Sequence, residues 1–344
     1  MKILYGVQGT GNGHITRARA LGRALEAVDI DVDFLFSGRA SDQYFDMEQF
    51  GKWQCREGLT FVHKQGRVDN FATLKRVKPL QFYRDIRNLD LTEYDLVLCD
   101  YEPITARAGR RSGIKVIGVG HQYAFSHKGV PMKGDTFLTR TLMQKFAPVG
   151  FGLGLHWHHF DQPILPPIAD TRVRESLDSD PNKVVVYLPF ESIDAVTAML
   201  SEIPGYQFYF YADVSDAREL GNICIRPFSR VGFKNDLATS VGVISNSGFE
   251  LTSEAIQLGL KILVKPLAGQ LEQLSNSLAL SELKLGTSMS TLDSSAVQNW
   301  LHESEARQVV YPDVSKGIAE WIKGGDWTEA SRQSLVDEMW RQVH

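Results

Sequence analysis

Residues 242–276 read GVISNSGFELTSEAIQLGLKILVKPLAGQLEQLSN. An apolar strand ends at Ile244 and a turn of small residues, Ser245 to Gly248, follows it. A helix then starts near Phe249, and a second apolar strand is closed by Pro266. Strand, turn, helix and strand in this order make a βαβ unit, which implies a parallel sheet with helices on its faces. The turn can present donors to an anion: hydroxyls of Ser245 and Ser247, the amide of Asn246, and backbone N–H groups at Gly248 and Phe249. The N-terminus of a helix is where phosphate oxygens find such groups. Glu254 lies about six residues further on, roughly 9 Å of helix rise. That is the reach from a diphosphate to a ribose whose hydroxyls a carboxylate accepts. Glu272, Gln273 and Asn276, near the start of the next helix, are suited to sugar hydroxyls.

Working outward, the same alternation fills the chain. In the second half KVVVYLPF, YQFYFYA and NICIRPF read as strands, with a helix over 192–202. In the first half the strands are 2–5, DVDFLFSG ending at Ser37–Gly38, YDLVLCD ending near Asp100, and IKVIGVG ending near His121, with helical pattern over 102–111. The proline-rich run QPILPPIADTRVRE, from Gln162, reads as a break between halves. The expected organisation is α/β: two facing Rossmann-like doubly wound domains with a cleft between them. The expected boundaries are 1–165, a linker over 166–181, a second domain over 182–325, and a C-terminal helix over 326–344 that could cross back to the first domain.

The first strand leads into GTGNGH, residues 9–14, and then a helical pattern from Ile15 to Leu25. Gly9, Gly11 and Gly13 give GxGxG rather than the GxGxxG dinucleotide pattern. The second strand ends at Ser37–Gly38–Arg39 without the acidic residue an NAD site requires, although Arg39 leaves an NADP site open. A plain tight turn is the simplest alternative, since glycine is the default turn residue. His14 sits at the helix N-terminus, whose dipole disfavours its protonated form, so a neutral imidazole could act there as a general base. In a sheet ordered 3-2-1-4-5, strands one and four are neighbours. Asp100 or Glu102 would then lie near His14 and could orient it, with helix capping as the competing role for Asp100. His121, ending the next strand, is a second candidate on the acceptor side, with Glu102.

With both turns in view, the chain resembles the GT-B-fold glycosyltransferases that use nucleotide-sugar donors. These include the enzyme that adds N-acetylglucosamine to the lipid-linked peptidoglycan precursor, the glucosyl- and glucuronosyltransferases, and a bacterial and archaeal glycosyltransferase-like branch. The resemblance implies that Asn246, Ser247, Gly248 and Phe249 form the diphosphate turn and that Glu254 grips the donor ribose. It further implies that Glu272, Gln273 and Asn276 contact the donor sugar, and that His14 is the base. Asn246 stands where the glucuronosyl type has a histidine, and Glu272 where aspartate is commoner, which leaves the donor sugar open. The implied co-substrate is a nucleotide-diphospho-sugar, UDP-linked, with an unassigned hydroxyl acceptor and neither metal nor resident cofactor. An epimerase of the same shape and a non-catalytic nucleotide-sugar-binding protein are the alternatives.

Composition sets the outer bounds. The 344 residues are 43% hydrophobic and 23% charged with a formal net charge of −4, which argues against a general nucleic-acid binder. Three scattered cysteines without CxxC spacing, no long apolar span and an N-terminus that enters a strand directly lead us to expect a cytoplasmic protein. His156, His158 and His159 lack the spacing of a metal motif. The stretch LKRVKPLQFYRDIRNL, residues 74–89, reads as a solvated basic helix face that could also meet an anionic acceptor or a membrane surface.

Overall fold

The structure, a computed structural model, describes residues 1–59, 63–64, 67–68, 78–133, 136–169 and 179–344. The first half is built from β1 (Lys2–Gln8), α1 (Asn12–Ala27), β2 (Asp31–Ser37), β3 (Trp53–Arg56), α2 (Pro79–Asn88) and β4 (Leu96–Asp100). It continues through α3 (Pro103–Ser112), β5 (Val116–Gly120), α4 (Phe137–Phe146), β6 (Phe151–Leu155) and β7 (Ile164–Leu165). Its sheet runs β3-β2-β1-β4-β5-β6-β7, all parallel. In the central strand β1 Ile3, Leu4, Tyr5 and Val7 are all fully buried, as expected of a parallel strand covered on both faces.

The second half repeats the plan with β8 (Lys183–Tyr187), α5 (Ile193–Ser201), β9 (Gln207–Ala212), β10 (Arg218–Leu220), β11 (Ile223–Pro227) and α6 (Arg230–Ala238). There follow β12 (Gly242–Ser245), α7 (Phe249–Gln257), β13 (Lys261–Val264), α8 (Leu271–Glu282), β14 (Thr287–Ser288) and α9 (Ser294–Glu303). Its sheet is ordered β10-β11-β9-β8-β12-β13-β14, parallel except for the β10–β11 pair. The last helices, α10 (Val314–Gly324) and α11 (Glu329–Arg341), both pack on the first half. Lys323 Nζ donates to the Val28 carbonyl at 2.6 Å, and Trp340 Nε1 to the Ile164 carbonyl at 2.7 Å.

The carboxyl edges of the two sheets face one another, and their loops touch. Asn12 meets the Tyr187 hydroxyl, Arg17 meets Glu250, Gln122 meets Glu272 and Trp157 meets Ser253. The molecule is a GT-B fold, two doubly wound sheets around a cleft. Strands β3, β6 and β7 carry no strong periodic signal in the sequence. β7 lies inside the proline-rich run and is held there by pairing with β6.

Candidate active site

The turn that carries His14 is one of two polar clusters at the cleft. Because β4 lies beside β1, Asp100 at its end reaches the first turn of α1. His14 Nδ1 sits 2.7 Å from Asp100 Oδ1. Arg17, one turn along the same helix, donates through Nε to Asp100 Oδ2 and through Nη2 to Oδ1, both at 2.7 Å. Its third nitrogen, Nη1, pairs with Glu250 in the first turn of α7, across the cleft. Asp100 is fully buried and Arg17 2% exposed, while the His14 side chain keeps 14% exposure, so of these three the imidazole is the most accessible.

Burial alone would raise the Asp100 carboxyl, but Arg17 and His14 outweigh it and hold the group below the usual carboxylate range. Glu250 goes the other way. Burial, with Asp100, Glu254 and Glu272 nearby, pushes it up to about 8 against the pull of Arg17. For Arg17 the two carboxylates win over burial and keep the guanidinium charged.

Two residues expected on the acceptor side have other work. Glu102, fully buried, caps α3: its carboxylate accepts from the N–H groups of Ile104 and Thr105 and from the hydroxyls of Thr105 and Ser37. Capping therefore falls to Glu102 and leaves Asp100 to His14 and Arg17. His121 is 1% exposed and does not line open space. Its ring stacks on Phe249 at 3.9 Å between centroids, its Nδ1 lies 2.8 Å from the Leu155 carbonyl, and its Nε2 lies 2.6 Å from Asn276 Oδ1. Burial lowers its basicity, Glu272 notwithstanding. The glycines also differ from one another. A Cβ on Gly13 would come within 2.8 Å of Glu250 Cγ, and one on Gly9 within 2.1 Å of the Tyr44 hydroxyl, whereas Gly11 faces open space. Gly13 thus admits the opposing helix, and Gly9 a tyrosine of its own half.

The turn over 245–248 is arranged differently. Asn246 Nδ2 donates to the Lys265 carbonyl at 2.9 Å, and Asn276 Nδ2 to the Ser247 carbonyl at 3.0 Å, which fixes the backbone of the turn. Yet Ser245 Oγ, Asn246 Oδ1 and Ser247 Oγ are buried without a partner among the described residues. A Cβ at Gly248 would meet nothing within 4 Å. Unsatisfied buried oxygens cost free energy, and three of them gather at this one helix N-terminus. Of the other expected residues, Gln273 turns its Oε1 to the Leu267 N–H, and Glu272 accepts from Gln122 Nε2 at 3.0 Å. Phe249 is buried against His121. Glu254 borders a cavity of about 160 Å³ between the halves, with Asn12, Thr16, Tyr187, Phe228 and Glu250.

Arg17 and Glu250 escape the sequence reading, although Arg17 had a signal. It falls on the buried stripe of α1 with Ala18 and Leu21, and a charged residue on that stripe needs a buried partner. The histidines of 156–159 build a turn: Nδ1 of each accepts an N–H from a residue just ahead, Trp157, Phe160 and Asp161. Lys75 and Arg76 lie outside the described residues. Among the described residues, no helix is long and apolar enough to cross a membrane.

Comparison with known proteins shows the family and the fold. Residues 1–304 match glycosyl transferase family 1. An uncharacterized glycosyltransferase of Methanosarcina acetivorans is 29% identical over 129 residues, 36% of this chain and about a third (32%) of that protein's length. The UGT89C1 structure of Arabidopsis thaliana, complexed with UDP, superposes with a TM-score of 0.55 at 14% identity over 98% of both chains. MurG of Acinetobacter baumannii does so with a TM-score of 0.55 at 13% identity, over 94% of this chain and 99% of its own.

Proposed function

This chain belongs to glycosyl transferase family 1, and on that premise we propose that it moves a hexosyl or N-acetylhexosaminyl group from a UDP-linked sugar to a hydroxyl acceptor without a metal. The observation that carries the reading is the pair of buried hydroxyls, Ser245 Oγ and Ser247 Oγ, that have no partner among the described residues, set at the N-terminus of α7. A diphosphate there would receive N–H and O–H donors and the positive end of the helix dipole, which also stabilise it as it leaves. In this reading Glu254 holds the ribose, and the cavity it shares with Tyr187 and Phe228 receives the nucleoside. Glu272, Gln273 and Asn276 border the sugar, the first directly and the other two by fixing the loops around it. His14, oriented by Asp100, takes the proton of the incoming hydroxyl.

The test is a screen of UDP, TDP, GDP, their sugar derivatives and NADP, read by thermal stabilisation. A ligand at a hundred times its dissociation constant adds about 2.7 kcal/mol of apparent stability. A uridine derivative is expected to score highest, with Glu254→Ala erasing its shift. Stabilisation by NADP alone would overturn the reading. Conversion of the sugar without an acceptor would indicate an epimerase, and binding without turnover a sensor.

A finer part of the reading is peripheral contact with an anionic membrane. It rests on α2, where Leu80 (76%) and Tyr83 (57%) are exposed beside the exposed Arg84 and Arg87. Co-sedimentation with phosphatidylglycerol vesicles but not with neutral ones, lost in Leu80→Asp, is the expected result.

A further inference from the structure

We propose that Arg17 and Glu250 complete the proton-accepting unit, with Glu250 supplying, through Arg17 and from across the cleft, the negative charge that offsets the proton His14 takes. The inference rests on the reading of His14 as base and deepens it. It starts from a charge count. A His–Asp pair balances by itself once the imidazole is protonated. Here, however, both oxygens of Asp100 are already held by Arg17, and Arg17 Nη2 lies 3.0 Å from His14 Nδ1. A proton arriving on His14 would therefore face a buried cation whose only other carboxylate partner among the described residues is Glu250. With Glu250 ionised, the four groups carry −1 before transfer and zero after it. With Glu250 neutral they carry zero before and +1 after, in a place where an unbalanced charge is costly. Among the described residues, Tyr5, Cys99, His121, Tyr123, Glu254 and Glu272 are the other titratable groups facing the cluster.

The step balances as follows. The acceptor oxygen bonds to the anomeric carbon as its proton passes to the free nitrogen of His14. The bond from that carbon to the diphosphate oxygen breaks, and its electron pair leaves with the diphosphate. Because Glu250 stands in the first turn of α7, beside the diphosphate turn, the offset is in place only while the two halves are closed on each other. Arg17 and Glu250 are positioning residues in this scheme, since neither reaches the reacting atoms.

The experiment measures hydrolysis of UDP-glucose and UDP-N-acetylglucosamine, with water as acceptor, in wild type, Glu250→Gln, Arg17→Gln and the double variant. One charge at this distance is expected to change kcat/KM by about 30-fold, so at pH 9, where Glu250 is ionised, Glu250→Gln should lose about that factor. The double variant, in which the His14–Asp100 pair balances itself, should recover most of it. Wild-type kcat/KM should rise with pH through about 8, where Glu250 ionises, and this limb should vanish in Glu250→Gln. A double variant no faster than Glu250→Gln overturns the proposal, because a packing role would make the losses add. Should that variant not fold, Arg17→Met with Glu250→Leu replaces the pair by apolar groups of similar size. If wild type turns over no sugar nucleotide, the functional reading falls, and the cluster is tested by unfolding. At pH 9 the Arg17–Glu250 cycle should then show at least about tenfold coupling in the unfolding equilibrium, and additivity sinks it.

Discussion

The two polar turns at the mouth of the cleft are built on opposite principles. At the first, His14, Arg17 and Asp100 hold one another across distances of 2.7 to 3.0 Å, and Arg17 pairs with Glu250 of the other half. At the second, the backbone is pinned but three buried oxygens have no partner among the described residues. One cluster is closed on itself and the other keeps polar side-chain atoms unbonded. The contrast follows from the chemistry proposed for each. A base must be held in one orientation before its substrate arrives, whereas a phosphate site must keep its donors free until a phosphate does.

The largest expected effect separates the two turns outright. His14→Ala should lower turnover by about a thousandfold while leaving UDP affinity within about threefold, because general base catalysis is lost and the donor turn is intact. Calorimetry beside kinetics checks it, and a matching loss of UDP affinity would break the contrast. Next, Ser245→Ala with Ser247→Ala should weaken UDP binding by about 30-fold with no loss of thermal stability. Those hydroxyls have no partner among the described residues, so removing them spares a desolvation penalty. A fall in melting temperature would mean that the turn is less open than its geometry indicates.

A smaller effect sharpens the contrast within the first turn. Gly13→Ala should cost about 1–3 kcal/mol, since its Cβ would press on Glu250, a residue held by its ion pair. Gly11→Ala, with nothing within 4 Å, should stay within about 0.5 kcal/mol of wild type. Denaturant melts decide both.

The smallest effect is a slope. Glu250 is pushed up to about 8 from an ordinary value of 4.5, so the folded state keeps a proton that the unfolded chain has released. Its contribution to stability is therefore lost as pH rises from about 4.5 to about 8, and Glu250→Gln should flatten the melting temperature over that window. Asp100, held below its ordinary value, acts in the opposite sense, and the stability it contributes is lost only on acidification.

How far these features are legible depends on how local they are. The strands that read cleanly, such as Leu96–Asp100 and Val116–Gly120, are continuous apolar runs whose period is their own. Trp53–Arg56 and Ile164–Leu165 are strands because a neighbour offers them an edge, and no window of their own sequence contains that neighbour. The His14–Asp100 pairing could be anticipated because strand order in a doubly wound sheet is constrained, which places two distant turns side by side. Glu102 was harder to place. Its role depends on whether its side chain turns back onto α3 or outward into the cleft, a choice that burial beside Ser37 and Thr105 makes.

From residue order alone came the α/β alternation, the two turns with their helix starts, and the nearness of His14 to Asp100. These follow from periodicity, turn chemistry and topology, all of which act over a few residues or obey a general rule. The tertiary structure alone decided that Arg17 is buried and bridges the halves, that His121 is packed under Phe249, and which oxygens stand unpartnered. Those facts are properties of the closed cleft. A charge or a ring acquires its environment from whatever the opposite half brings against it, and for Arg17 and Glu250 that partner lies 233 residues away in the chain.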